Sequence, residues 1–221
     1  MSTGKHRIPV RLDVVADIGH SWSLIGWLAL QKALLAVKEE IVGVVTFQPF
    51  ELARDVGPAG ETLAASLARR QDWSYAQVTQ AEANAQARGR GFGLNLHVNP
   101  DRVLHRTFDA HRLVAWAGHT GAAGPLFVAL GKAALEDGAD LSSHQVLVTA
   151  ASRVGLDADG AAALLAGQRF AREVRERQDY YRARQVLTMP TLVVDERHLI
   201  VGAQPVEVFE EQLRRMATMP R

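Results

Sequence analysis

With 221 residues, 48% of them hydrophobic, the chain can bury a sizeable core, either as one large domain or as a small domain carrying an insertion. Lys and Arg total 25 against 24 for Asp and Glu, so no bulk field draws it to nucleic acid or to an acidic membrane surface. Cysteine is absent, so thiol–disulfide exchange has no attacking atom here, and a dithiol oxidoreductase is excluded.

Between Met1 and Pro9, the basic Lys5, His6 and Arg7 precede no apolar stretch of signal-peptide length. The longest apolar run, Leu24 to Leu30, is far too short to span a bilayer. Both features predict a cytoplasmic protein with no membrane partner. From Ile8 to Asp17 the sequence alternates, with Val10, Leu12, Val14 and Ala16 on one face and Arg11, Asp13 and Asp17 on the other, the period of a half-buried strand. Trp22, Ile25, Ala29, Ala33 and Val37 then recur at helical spacing, with His20 or Ser21 placed to cap the first turn. A strand feeding straight into a helix puts the turn between them at a sheet edge, against unpaired N–H groups and the positive end of a helix dipole.

A second strand is predicted over Ile41 to Phe47, close enough behind the helix to form a right-handed βαβ unit, and Pro49 ends its pairing. From Glu61 to about Arg184 the sequence turns Ala-, Leu-, Arg- and Gln-rich and carries no strand pattern. Helices are predicted over Thr62–Arg70, Ser74–Arg88, Pro100–Ala117, Gly124–Glu136, Ser142–Val154, Ala158–Leu165 and Gly167–Arg184. The chain closes with a hairpin, Thr191 to Asp195 and His198 to Val201 about a Glu196-Arg197 turn. A helix opened by Pro205 follows, burying Val206, Phe209, Leu213 and Met216.

The turn sequence His20-Ser21-Trp22-Ser23-Leu24-Ile25-Gly26 resembles the Cys-Pro-Trp-Cys-Tyr-Ile-Gly active site of DsbA-type thioredoxin-fold proteins, in particular the FrnE-like branch. Phe47-Gln48-Pro49-Phe50-Glu51-Leu52, Thr107-Phe108-Asp109-Ala110-His111-Arg112-Leu113 and Gly202-Ala203-Gln204-Pro205-Val206-Glu207-Val208-Phe209 match in family order. Met189-Pro190-Thr191 resembles the family's Val-Pro-Thr, whose proline is cis and faces the active-site helix. The resemblance runs from about Val10 to Phe209 and implies an α/β thioredoxin-like fold with a large all-helical insertion. Residues 1–56 and 185–221 are then the two parts of the thioredoxin-like domain, and 57–184 the insertion. The departure is that His20 and Ser23 stand where the family has its two cysteines.

His20, at a helix start that disfavours the imidazolium, is a candidate general acid/base. The alternative is a histidine that only fills the space of a lost active site. Ser21 takes the family's proline position and either caps the helix or touches a ligand, and Ser23 is either buried and bonded to backbone or a candidate catalytic hydroxyl for which His20 could serve as base. The resemblance implies that Trp22 and Met189 shape a pocket beside Pro190, with the Met189 backbone free to pair with an extended ligand. His111 lies on the apolar stripe of its helix, either as a core residue or, by the family match, meeting His20 across the substrate. Arg106 is placed to bind a carboxylate or enolate oxygen, or to sit solvated. Gly89-Arg90-Gly91-Phe92-Gly93 follows a helix, not a strand, and reads as a connector and not a phosphate loop. The eight histidines show no metal spacing.

These residues point to a non-redox isomerase, cyclase or dehydratase acting on an aromatic or polyketide-like small molecule in the interdomain cleft. One alternative is a catalytically silent binding or scaffolding protein that keeps the groove. Another is a glutathione-dependent isomerase like 2-hydroxychromene-2-carboxylate isomerase, whose relatives touch glutathione through a serine near this turn. No cofactor is called for beyond glutathione in that last case. Oligomeric state is left open, a homodimer included.

Overall fold

The computed structural model describes residues 7–219, so Lys5 and His6 lie outside the described residues. Its centre is strand β1 (Ile8–Ala16), paired in parallel with β2 (Ile41–Pro49) on one side and antiparallel with β5 (Thr191–Val194) on the other. Strand β6 (His198–Val201) pairs antiparallel with β5, giving a four-stranded sheet of order β2-β1-β5-β6. Helix α1 (Ser21–Ala36) crosses between β1 and β2, and α9 (Val206–Ala217) closes the chain against α1. The predicted β-α-β and β-β-α parts are therefore joined in one sheet, across an insertion of more than a hundred residues.

The insertion is α2 (Leu63–Gln71), α3 (Tyr75–Arg90), α4 (Phe108–Gly118), α5 (Ala123–Leu135), α6 (His144–Arg153), α7 (Ala158–Ala166) and α8 (Ala171–Ala183). It is not wholly helical. The segment predicted as one helix from Pro100 to Ala117 begins with a turn at Asn99–Arg102, followed by β4 (Val103–Leu104), which pairs with β3 (Glu61–Thr62) as a two-residue ribbon. Proline at position 100 and the β-branched Val103 outweigh the helical spacing there. The predicted helix over Gly167–Arg184 starts later, at Ala171, after Phe170 takes a left-handed conformation. The Gly89–Gly93 stretch is the connector expected of it, at the end of α3.

Two other expectations are corrected by burial. Strand β1 is not half-buried, since Asp13 and Asp17 are only 2% and 5% exposed. The face that carries them is covered, with Val15, Phe50, Tyr181, Val186, Met189 and Val193 forming a second apolar cluster where α8 meets the sheet. Asp13 keeps its polarity satisfied by accepting from Gln48 Nε2 at 2.8 Å. Helix α1 is buried well beyond the stripe of Trp22, Ile25, Ala29, Ala33 and Val37 that marks it in the sequence, from Ser21, Ser23 and Leu24 through Ala33. It is packed by α9, α3 and α5 as well as by the sheet, and a helix enclosed in this way has little use for a polar face. One continuous core joins β1 and α1 to Leu113, Phe127 and Leu164 of the insertion.

The Met189–Pro190 peptide bond is cis, as the resemblance implied. Gly26 is where α1 passes this proline, and a Cβ on Gly26 would lie 2.6 Å from Pro190 Cγ and 3.3 Å from Ala203 Cα. A rigid ring and a backbone atom cannot yield as a flexible side chain would. Gly26→Ala is accordingly expected to destabilise the fold by about 1–3 kcal/mol, despite the better helix propensity of alanine. Urea denaturation of the two proteins measures this, and an unchanged midpoint would contradict the close packing.

Candidate functional site

The carboxyl end of β1, the start of α1 and the insertion enclose a cavity of about 790 Å³. That volume lies in the range of small-molecule sites. His20, Ser21 and Trp22 line it from α1 and the preceding turn, and Thr188 and Met189 from the segment before β5. Leu63 and Leu67 of α2, Trp73, Val78 of α3 and Leu104 of β4 give it an apolar wall on the insertion side.

Asp17, at the exit of β1, organises this end of the molecule. Its Oδ1 accepts from Thr107 Oγ1 at 2.9 Å and from Gly19 N at 3.4 Å, and its Oδ2 from Leu52 N at 2.8 Å. A single buried carboxylate thus ties the turn before α1 to the loop after β2 and to the start of α4. Thr107 stands at the N-cap of α4 but spends its hydroxyl on Asp17, not on the helix.

His20 is the N-cap of α1 without a side-chain cap bond, so the predicted capping by His20 or Ser21 is not what holds this turn. Its Nδ1 instead lies 3.2 Å from Ser23 Oγ, which also accepts from Asp17 N at 3.3 Å. Ser23 is fully buried, and its hydroxyl proton has His20 Nδ1 as its acceptor among the described residues. With the Ser23 proton given to Nδ1, that nitrogen is the acceptor and the ring proton sits on Nε2. Nε2 has no protein partner among the described residues, and the ring lines the cavity. Burial pushes the imidazole down to about 4, which the nearby Asp17 carboxylate opposes and the Arg102 guanidinium reinforces. The neutral ring expected from the helix dipole is thus present, but burial is its chief cause. His20 therefore offers a neutral N–H to the cavity, able to steady negative charge on an oxygen.

Ser21 also faces the cavity, its Oγ unpartnered among the described residues. Ser23 does not; it stands behind His20 and fixes the ring. His111 is 4% exposed, with Nε2 3.2 Å from the Phe50 carbonyl and 3.9 Å from Asp17 Oδ1, and burial lowers its pKa. It lies behind Asp17 and does not line the cavity, so it does not meet His20 across a substrate. Arg106 is also outside the cavity, its Nε donating to the Val56 carbonyl at 2.7 Å. Pro190 supports α1 from beneath, while its neighbour Met189 reaches the wall.

The sequence reading missed Asp17 as a hub, because alternation placed it on an exposed face. It also missed Arg102 and Glu82, which line the cavity with Arg102 Nε 3.3 Å from Glu82 Oε2. Reading Pro100 to Ala117 as a helix hid Arg102; the Asn99-Pro100-Asp101 turn signal was the clue that could have exposed it. No group of three or more His, Cys, Asp or Glu suited to a metal ion occurs among the described residues. Among the same residues no helix is long and apolar enough to cross a membrane.

Two measurements test this geometry. Thr107→Val removes a donor to the buried Asp17 carboxylate and should cost about 1–3 kcal/mol in urea denaturation, with Thr107→Ser close to wild type. His20 is neutral in the fold and protonates more readily in the unfolded chain, whose imidazole titrates near 6.5. Its contribution to stability is complete above about pH 6.5 and is lost as pH falls towards about 4. Thermal melts across that window should show a shallower decline for His20→Gln than for wild type; parallel declines would contradict a depressed imidazole.

The comparisons with known proteins agree with this architecture. A solved structure of a probable DsbA oxidoreductase from Streptomyces coelicolor superposes with a TM-score of 0.85 at 27% identity, covering 96% of this chain and 92% of that one. A 2-hydroxychromene-2-carboxylate isomerase gives 0.68 at 15% identity over 93% of this chain and 95% of that one. The cytosolic disulfide reductase DsbM from Pseudomonas aeruginosa, solved with glutathione, gives 0.62 at 14% over 95% and 100%. At those last two identities the likeness is one of fold alone. No curated protein matches the chain. The model of the DSBA-like thioredoxin domain matches residues 11–214, nearly the whole length, and the protein belongs to that family as a member without cysteine.

Proposed function

We propose that this protein is a thiol-independent proton-transfer catalyst, of the isomerase, cyclase or dehydratase type, acting on an apolar carbonyl compound held in the cavity beside His20. The observation that carries this reading is a neutral imidazole on the wall of a cavity of about 790 Å³, with Nε2 free and Nδ1 held by a buried serine. In the resting tautomer Nε2–H donates to the carbonyl oxygen, the neighbouring carbon gives its proton to solvent water, and the electron pair of that C–H bond passes into the enolate that Nε2–H steadies. The Ser23 hydroxyl can turn from donor to acceptor, and in that second tautomer Nε2 accepts a proton. Trp22, Leu63 and Trp73 supply apolar surface to hold an aromatic or polyketide-like body, and Ser21 Oγ offers a further polar contact. The resemblance of the turn to the FrnE-like branch, which is named for a polyketide pathway, supports the same class of substrate by association only. The fold itself hosts both redox and isomerase chemistry among relatives, so the residues and not the fold support the reading.

A panel of aryl ketones and aromatic 1,3-diketones in D2O tests it, with exchange at the α-carbon followed by NMR. Wild-type protein should accelerate exchange for at least one compound, and His20→Gln should lower that rate by about 10²–10⁴-fold while leaving the far-UV spectrum unchanged. Because burial holds the imidazole near 4, the rate should stay level down through pH 6.5 and fall only as pH approaches about 4. Binding without exchange would support the silent binding protein instead, and accelerated exchange indifferent to His20 would overturn the assignment of His20.

A further inference from the structure

Three arginines, Arg70, Arg102 and Arg182, line the cavity against two carboxylates, Asp17 and Glu82. Neither carboxylate is free. Asp17 is taken up by Thr107, Gly19 and Leu52, and Glu82 by Arg102. The arginines differ in what they have left. Arg70 has one terminal nitrogen on the Leu52 carbonyl and the other 3.0 Å from Asp55, and Arg182 has one on the Glu51 carbonyl while lying over the Phe50 ring. Neither keeps both terminal nitrogens open, although Arg70 Nε and Arg182 Nε are buried without a hydrogen-bond partner among the described residues. Arg102 spends only Nε, on Glu82 Oε2 at 3.3 Å. Its Nη1 and Nη2 have no protein partner among the described residues, although the side chain is just 16% exposed. The guanidinium is thus clamped by its inner edge with its outer two-nitrogen fork open. It also lies near enough to His20 to push that imidazole down.

A fork of two parallel N–H donors matches the two oxygens of a carboxylate, and such a pair is strengthened by the apolar surroundings of the cavity. We propose that Arg102, held by Glu82, is the anchor for a carboxylate on the ligand, so that the cavity takes monoanionic acids with an apolar body and sets them beside His20 Nε2. This rests on the reading of the cavity as a small-molecule site, but not on any catalytic role for His20. Arg102 is a binding residue and Glu82 a positioning residue that fixes the guanidinium. The carboxylate could belong to an aromatic acid or to a glutathione-like peptide, and the two sources are separable.

Isothermal titration calorimetry with 2-naphthoate, its neutral isostere 2-naphthamide and reduced glutathione makes the test. Wild-type protein should bind naphthoate at least tenfold more tightly than naphthamide. Because Arg102→Gln alone would strand the Glu82 carboxylate, the variant is Arg102→Gln with Glu82→Gln. It should lose the preference for the acid while keeping the affinity for the amide, and its thermal midpoint should show that it is folded. His20→Gln should keep the acid preference. Arg102-dependent binding of glutathione in place of naphthoate supports the carboxylate anchor and assigns it to the peptide. Equal affinity for acid and amide in wild type, or an acid preference that survives in the double variant, overturns the proposal and leaves the small-molecule cavity standing. Failure of all three probes to bind overturns it together with that cavity reading.

Discussion

The Asp17 carboxylate is the constraint on which this site is built. A carboxylate brought into a protein interior must be met by donors, and here those donors come from three separated stretches of chain: Gly19 in the turn, Leu52 after β2, and Thr107 at the start of α4. Satisfying one charge therefore fixes the angle between the strand exit, the active helix and the insertion. The backbone N–H of the same residue goes to Ser23, which in turn holds the His20 ring. Position and protonation are then linked, because the carboxylate that sets the geometry also opposes, without overcoming, the burial that keeps His20 neutral.

The same turn in the family carries sulfur, and sulfur at a helix start is useful because the thiolate is stabilised there. Imidazole at that place has the opposite preference, since it is the cation that the helix start and the buried surroundings disfavour. The substitution thus converts a seat for a stabilised anion into a seat for a neutral donor. Ser23, in the second cysteine position, contributes no attacking atom and becomes the support that orients the ring. The surrounding machinery, including the cis bond before Pro190 and the close passage of α1 over it, is kept. A preserved frame around altered chemistry agrees with a fold that carries disulfide reductases and an isomerase among its solved structures.

Burial on both sides of β1 shows how far local pattern can mislead. Alternation of Val10, Leu12 and Val14 with Arg11 and Asp13 is what a one-sided strand looks like, and nothing local announces that α8 and the Phe50 loop cover the other face. The Gln48 side chain that answers Asp13, and the Thr107 that answers Asp17, are 35 and 90 residues away in the chain. Polar residues in such places are read correctly only once their partners are known.

The chain by itself determined the order of elements, the absence of thiol chemistry, the family motif around His20 and the helical character of the insertion. Each depends on residue identity or on spacings of a few residues. Tertiary structure decided which of the candidate residues share a space: His20, Ser21, Trp22 and Met189 line the cavity, His111 and Arg106 turn away from it, and Arg102 enters where no motif marked it. The reason is that a side chain's neighbours across the fold depend on crossing angles, on where the ribbon of β3 and β4 interrupts the helices, and on how each buried charge finds its donors. Those are sums over distant contacts, which periodicity along the chain does not contain.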